Sequence, residues 1–302
     1  MRRKFYTLDV FTDTPFAGNP LAVVRDAQGL DAARMQAIAR EFNLSETVFL
    51  LPARDPVNTA RARIFTPTRE LPFAGHPTVG AAVLIGLLDA PHMIAGRDLD
   101  VVLEEEAGDV RCTVRKPPVG AARARFVAPR LPERVGEAPD AAAVARALSL
   151  APEDIGFDRH VPSVFSAGVG FTFVPLASRD AVTRARPDMA HWGALGPADH
   201  PAAYVYCREA VDPANHIHTR MFAPSLGVPE DPATGAAAAA FAGVCMAYET
   251  PDDGEHVIVI EQGYAMGRPS RIVLGLVVEG GALREATIGG SATLVMQGEI
   301  DA

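Results

Sequence analysis

Residues 75–88, GHPTVGAAVLIGLL, are long enough for a helix and offer it no wet face: His76 is their only ionisable side chain. A helix that is apolar all round must be buried all round. Its opening is unusual too, because a Gly-His-Pro turn stands where a serine or aspartate cap would ordinarily bond the first free N–H groups. A second segment of this kind, TGAAAAAFAGVCMA, occupies residues 234–247. The stretches ahead of the two helices match without gaps. Residues 63–72 read RIFTPTRELP and residues 220–229 read RMFAPSLGVP, with four of ten positions identical at a constant offset of 157. Self-similarity at half the chain length points to an internal duplication.

Strand-like runs surround both segments. They fall at 4–11, 21–24, 47–51, 62–65, 99–105 and 110–115, and again at 170–176, 202–207, 216–222, 256–262, 271–279 and 291–297. Many alternate, or are rich in β-branched and aromatic residues. Residues 30–42 form an amphipathic helix with Asp31 as its cap, and 140–150 is a second candidate. The proline-rich segment 116–139 is expected to connect two lobes. With this many strands, the economical way to bury each apolar helix is to wrap a curved sheet around it. We therefore expect an α+β fold of two pseudo-symmetric lobes, each a sheet or barrel about one central helix. The first lobe spans 1–116, completed by 288–302, and the second spans 117–287.

Composition excludes several functions. The net charge of -9, with no basic stripe, argues against a nucleic-acid partner. Lys4 and Lys116 are the only lysines, and neither sits where a pyridoxal Schiff base would need it. No cofactor is expected. Cys112, Cys207 and Cys245 are an odd number without metal-site spacing, which reads as reduced thiols. Asp9 and Asp13 interrupt any signal-like core near the start, and no apolar run reaches membrane-spanning length. The expectation is a cytoplasmic protein without a membrane partner. His216 and His218 share one strand face but lack a third metal ligand nearby, so no metal is expected. No P-loop, HExxH or GxSxG pattern is present.

The helix starts carry the functional signal. Each presents free N–H groups and the positive end of a helix dipole, beside residues small enough for close approach: Gly75-His76 in one and Thr234-Gly235-Ala236 in the other. Converging on one cleft, they would bind a carboxylate; alternatively the glycines merely permit tight turns. By pattern alone, Glu46 reads as a surface acid, His76 as structural and Asp231 as a helix cap.

The segments FAGNPLAVV (16–24), NLSETVFL (43–50), RIFTPTRELPFAGHPTVGAA (63–82) and RMFAPSLGVPEDPATGAAAAA (220–240) strongly resemble the PhzF family. These are isomerases of phenazine biosynthesis and their relatives, with the fold of diaminopimelate epimerase. The resemblance implies two lobes with the active site in the cleft between them, and a homodimer. It implies a trans-2,3-dihydro-3-hydroxyanthranilate isomerase type of activity on a small carboxylate-bearing substrate. Glu46 would act as the acid/base, assisted by His76 and Asp231. Asn19, Ser45, Gly75, His76, Thr234, Gly235 and Ala236 would bind substrate. Two departures stand out. Ala74 and Thr234 occupy the positions of the epimerases' two cysteines, which disfavours two-thiol racemisation. Ala236 replaces the usual serine, which leaves substrate identity open. An epimerase, racemase or dehydratase, or a non-catalytic small-molecule binding protein on the same scaffold, are the alternatives.

Overall fold

A computed structural model describes residues 1–137, 139–195 and 202–302. The chain divides into two compact units, Met1–Pro129 with Gly289–Ala302, and Arg130–Ile288.

The first unit contains β1 (Arg2–Val10), β2 (Asn19–Val24), β3 (Glu46–Leu51), β4 (Ala60–Phe65), β5 (Glu70–Leu71), β6 (Leu99–Glu105), β7 (Gly108–Arg115) and β8 (Ala122–Val127). It ends with the last part of β17 (Ala282–Asp301). From β1 the pairing runs antiparallel to β2, parallel to β3, antiparallel to β4, parallel to β6, and antiparallel to β7 and β8. β8 pairs with β17, and β17 returns antiparallel to β1, so the sheet closes on itself. Closure leaves no free edge in the ring.

The barrel is filled by α2 (Gly75–Asp89), which touches β1, β2, β3, β6, β7 and β8. Every residue from Gly75 to Gly86 is buried. Gly80 shows how tight the fit is: a Cβ there would lie 2.4 Å from Leu21 Cδ2 and 2.9 Å from Val10 Cγ2. The amphipathic helix α1 (Ala32–Phe42) packs outside. Its cap is Asp31, whose carboxylate accepts from Arg34 N at 2.8 Å, and Met35 and Ala39 turn onto Phe49 and Phe65. The short α3 (Pro91–Gly96) follows α2 directly.

The second unit repeats the scheme. β9 (Glu133–Arg134), β10 (Ser163–Ser166), β11 (Gly170–Pro175), β12 (Ala203–Cys207), β13 (Ile217–Ala223), β14 (Val228–Asp231), β15 (Gly254–Gln262) and β16 (Ser270–Glu279) precede the start of β17. From β10 the pairing is antiparallel to β11, parallel to β12, antiparallel to β13, parallel to β15 and antiparallel to β16. That is the order found from β1 to β7. Here α6 (Gly235–Val244) is the buried helix, against β9, β10, β11 and β16. Gly243 meets the Phe165 ring so closely that a Cβ would lie 2.5 Å from Cδ1. Outside, α4 (Ala141–Ala147) and α5 (Arg179–Arg184) pack on Val174, Val205 and Trp192. The expected α+β fold, a sheet wrapped about a central apolar helix and built twice, is the fold observed.

One sequence expectation is corrected. Residues 116–139 are not simply a connection, because β8 lies inside them and helps to close the first barrel. Its period-two signal was present: Ala122, Ala124 and Phe126 are buried and Arg123 and Arg125 exposed. Small alanines on the inner face and flanking prolines masked it.

Two ion pairs mark equivalent places in the units. Arg63 forks onto Glu70 with both bonds at 2.6 Å, and Arg220 forks onto Glu230 at 2.9 and 2.8 Å. Each arginine also lies over a phenylalanine ring two residues on, Phe65 or Phe222. The repeat offset is 157 at the arginines but 160 at the glutamates, so the second unit carries three extra residues before its helix.

Candidate active site

In the first unit the parallel pairing of β2 with β3 sets Leu21 opposite Glu46. Asn19, Ser45 and Glu46 therefore lie at the same end of adjacent strands. Asn19 is fully buried opposite Val10. Gly18 makes that turn possible: it has φ of +65°, and a Cβ would collide with the Val10 carbonyl. Ser45 is half-buried just before β3.

The start of α2 meets this strand end. Ala74 is the N-cap and supplies no side-chain cap, and the first turn carries no acidic residue. Gly75 and His76 are buried there. His76 Nε2 stands 3.2 Å from Glu46 Oε2, with side-chain exposures of 6% and 17%. Burial pushes the imidazole pKa down to about 3, so His76 is neutral at neutral pH. The pair is thus a carboxyl group against a neutral imidazole. With no positive charge on the ring, His76 does not hold Glu46 as an ion pair.

In the second unit Asp231 ends β14 and Thr234, Gly235 and Ala236 open α6. Asp231 Oδ2 accepts from the Thr234 hydroxyl at 2.6 Å. Gln262, at the end of β15, completes the cluster. Its Oε1 accepts from Thr234 N at 3.1 Å, and its Nε2 donates to Asp231 O at 2.8 Å and Thr234 Oγ1 at 3.0 Å. The N–H of Thr234 is thereby committed within the protein, while the first turn of α6 has no side-chain cap.

The structure brings Asn19, Ser45, Glu46, Gly75 and His76 together in one unit, and Asp231, Thr234, Gly235 and Ala236 in the other. The sequence reading missed Glu105, Thr78 and Gln262. Thr78 Oγ1 lies 2.7 Å from the Ala74 carbonyl oxygen and 2.6 Å from Glu105 Oε1. Glu105 and Gln262 are 157 residues apart, the repeat offset already seen ahead of the helices. Extending the comparison would have found them. Asp55-Pro56-Val57-Asn58 and Asp212-Pro213-Ala214-Asn215 also match at 157, as do Glu104 and Glu261. Both glutamates do one job. Glu104 accepts from Arg54 N, Asp55 N and Asn58 Nδ2; Glu261 accepts from Val211 N, Asp212 N and Asn215 Nδ2.

The cysteines offer no acid/base chemistry. All three are buried, and burial raises their thiol pKa values, that of Cys207 to about 11. The two strand histidines are engaged in structure: His216 Nδ1 accepts from Val259 N, and His218 Nδ1 pairs with Glu261 at 2.7 Å. No described helix is long and apolar enough to cross a membrane.

Comparison with known proteins places these features in a family. The family model for PhzC-PhzF, phenazine biosynthesis-like protein, matches residues 8–298. An uncharacterized isomerase of Mesorhizobium japonicum is 49% identical over 302 residues, covering 99% of this chain and 98% of its own. The trans-2,3-dihydro-3-hydroxyanthranilate isomerase of Pseudomonas aeruginosa is 34% identical over 274 residues, 89% of this chain and 88% of its own. Among solved structures, a Bacillus anthracis phenazine biosynthesis protein of the PhzF family superposes with a TM-score of 0.89 at 25% identity, both chains being covered completely. Two sheets each wrapped about an apolar helix, a Glu–His pair at one helix start and this pattern of relatives lead to one conclusion: the chain belongs to the PhzC-PhzF family of phenazine biosynthesis-like proteins, among relatives named as isomerases.

Proposed function

We propose that the protein is an isomerase that shifts a proton on a small carboxylate-bearing molecule without a cofactor, with Glu46 as the acid/base. The observation that carries this reading is the 3.2 Å contact between Glu46 and a buried His76 that burial keeps neutral. A neutral imidazole sets no positive charge against Glu46, so the carboxylate keeps its strength as a base. An imidazolium would instead hold the carboxylate as a salt bridge and weaken it as a base. The uncapped N–H groups at the start of α2 would stabilise negative charge developing on the substrate. In the same reading Asp231 addresses the substrate's polar substituent, and the first turn of α6 receives its carboxylate through Gly235 and Ala236.

A two-base epimerisation through thiols has no support, because the cysteines are buried and held protonated. The substrate of the P. aeruginosa relative is the first molecule to try. In deuterated buffer, wild type should convert trans-2,3-dihydro-3-hydroxyanthranilate with incorporation of solvent deuterium. Glu46→Gln should lower that incorporation by a factor of ~10³, within the ~10²–10⁴ that general acid–base catalysis contributes. Deuterium entry at the wild-type rate in the variant would remove Glu46 from the mechanism.

A further inference from the structure

Behind the first turn of α2, at the end of β6, Glu105 is 8% exposed, and its Oε2 is buried with no hydrogen-bond partner among the described residues. Its other oxygen lies 2.6 Å from Thr78 Oγ1, which also lies 2.7 Å from the Ala74 carbonyl oxygen. A threonine hydroxyl has one proton to donate. If that proton goes to Ala74 O, the 2.6 Å contact needs a proton from Glu105. If it goes to a Glu105 carboxylate, Thr78 Oγ1 and Ala74 O face each other at 2.7 Å with only lone pairs between them. A charged Oε2 would also remain dry, at a large desolvation cost. A protonated Glu105 satisfies both contacts: it donates to Thr78, and Thr78 donates to Ala74.

The second unit supports this independently. At the equivalent position stands Gln262, a neutral side chain of the same shape that ties the strand end to the start of α6 by donating to Asp231 O and Thr234 Oγ1. A hydrogen-bond donor is needed at this place in both copies of the repeat, and a carboxylate cannot be one.

We propose that Glu105 is a positioning residue that works as a neutral carboxylic acid: its O–H, donated in a hydrogen bond to Thr78 Oγ1, latches the first turn of α2 and so sets His76 opposite Glu46. Among the described residues no cation is paired with Glu105. α2 turns Thr78 toward Glu105. β7 carries the buried Cys112, itself kept protonated by burial, while Asp109 and Arg111 are exposed. On β8 Arg123 and Arg125 are exposed; on β4 Arg63 is held by Glu70, and the half-buried Arg61 lies opposite Glu104. On its own strand Glu104 is engaged by Arg54 N and Asp55 N, and the following Glu106 is exposed. Burial raises the Glu105 pKa to about 8, so the latch would open in mild alkali.

The bearing of this latch on turnover rests on the isomerase reading; the state of the carboxyl does not. Infrared difference spectra of wild type against Glu105→Gln should show a protonated carboxyl stretch at pH 6.5 that disappears with a midpoint near pH 8. In histidine-labelled protein the His76 ring signals should move with that midpoint in wild type. They should be displaced at every pH in Glu105→Leu, and be wild-type-like and flat from pH 6 to 9 in Glu105→Gln. Turnover of trans-2,3-dihydro-3-hydroxyanthranilate by wild type should drop about tenfold from pH 7 to 9 beyond any drop in Glu105→Gln, as one ionisation near pH 8 dictates. Absence of the carboxyl stretch at pH 6.5, or His76 signals in Glu105→Gln displaced as in Glu105→Leu, would overturn the proposal. Should Glu105→Leu fail to fold, the wild-type and Glu105→Gln spectra decide alone. A wild type inert toward this substrate would count against the isomerase reading, with the spectra still deciding the latch.

Discussion

Two buried groups in the first unit, Glu105 and His76, shape how stability depends on pH, and they act in opposite directions. Glu105 moves from about 4.5 in the unfolded chain to about 8 in the fold. The folded state therefore binds the extra proton between those values. Its contribution to stability is complete below pH 4.5, declines as pH rises and is gone above about 8. A shift of this size corresponds to about 5 kcal/mol, at about 1.4 kcal/mol per pH unit. His76 moves from 6.5 down to about 3, so its contribution is complete above pH 6.5 and is lost as pH falls toward 3. The two slopes cancel between pH 4.5 and 6.5. From pH 6.5 to 8 only Glu105 acts, and wild type should lose about 2 kcal/mol from this source. Glu105→Gln removes one slope and leaves the other. The difference in unfolding free energy between variant and wild type should therefore climb steadily from pH 4.5 to 8 and then level off. Urea unfolding followed by circular dichroism at five pH values between 4.5 and 9 measures it. A difference that stays constant with pH would refute the reasoning, because it would mean that Glu105 titrates alike in both states.

The two Arg–Glu forks should differ in weight. Arg220 is almost fully buried and donates to the Val182, Thr183 and Ala185 carbonyls as well as to Glu230. Arg220→Ala should cost about 3–5 kcal/mol in urea unfolding, since it strands a buried carboxylate and three carbonyls. Arg63→Ala, at a more exposed pair, should cost roughly 1–2 kcal/mol. Gly243→Ala should destabilise by about 1–3 kcal/mol despite alanine's better helix propensity, because its Cβ would enter the Phe165 ring. Gly193→Ala, with open space around the added Cβ, serves as the control in the same melting assay and should change little. The three buried thiols should react with a thiol reagent only as fast as the protein opens, so native labelling should be slow and should accelerate in urea.

What the sequence by itself determined was the burial of two helices and, from that, the architecture. An apolar segment without a wet face has to be enclosed, and abundant alternating strands are what can enclose it. The duplicated RxF…P stretches added that the enclosure is built twice, and the family motifs singled out Glu46 and His76. These properties were legible because they are local: periodicity, the absence of charge, short motifs. β8 was hidden where its inner face is mostly alanine, since a one-methyl side chain hardly registers as hydrophobic patterning. Glu105 was hidden for another reason. In a Glu104-Glu105-Glu106 run all three carboxylates look alike, and strand alternation and tertiary contacts decide their fates. Glu104 faces the backbone N–H groups of Arg54 and Asp55 and stays ionised, whereas Glu105 faces the interior and Thr78 and is held as the acid. Distance in space, not spacing in sequence, sets the 3.2 Å between Glu46 and His76, and desolvation by the surrounding barrel makes that histidine neutral. Charge state depends on solvent and neighbours brought in from remote parts of the chain, so only the tertiary structure could decide it.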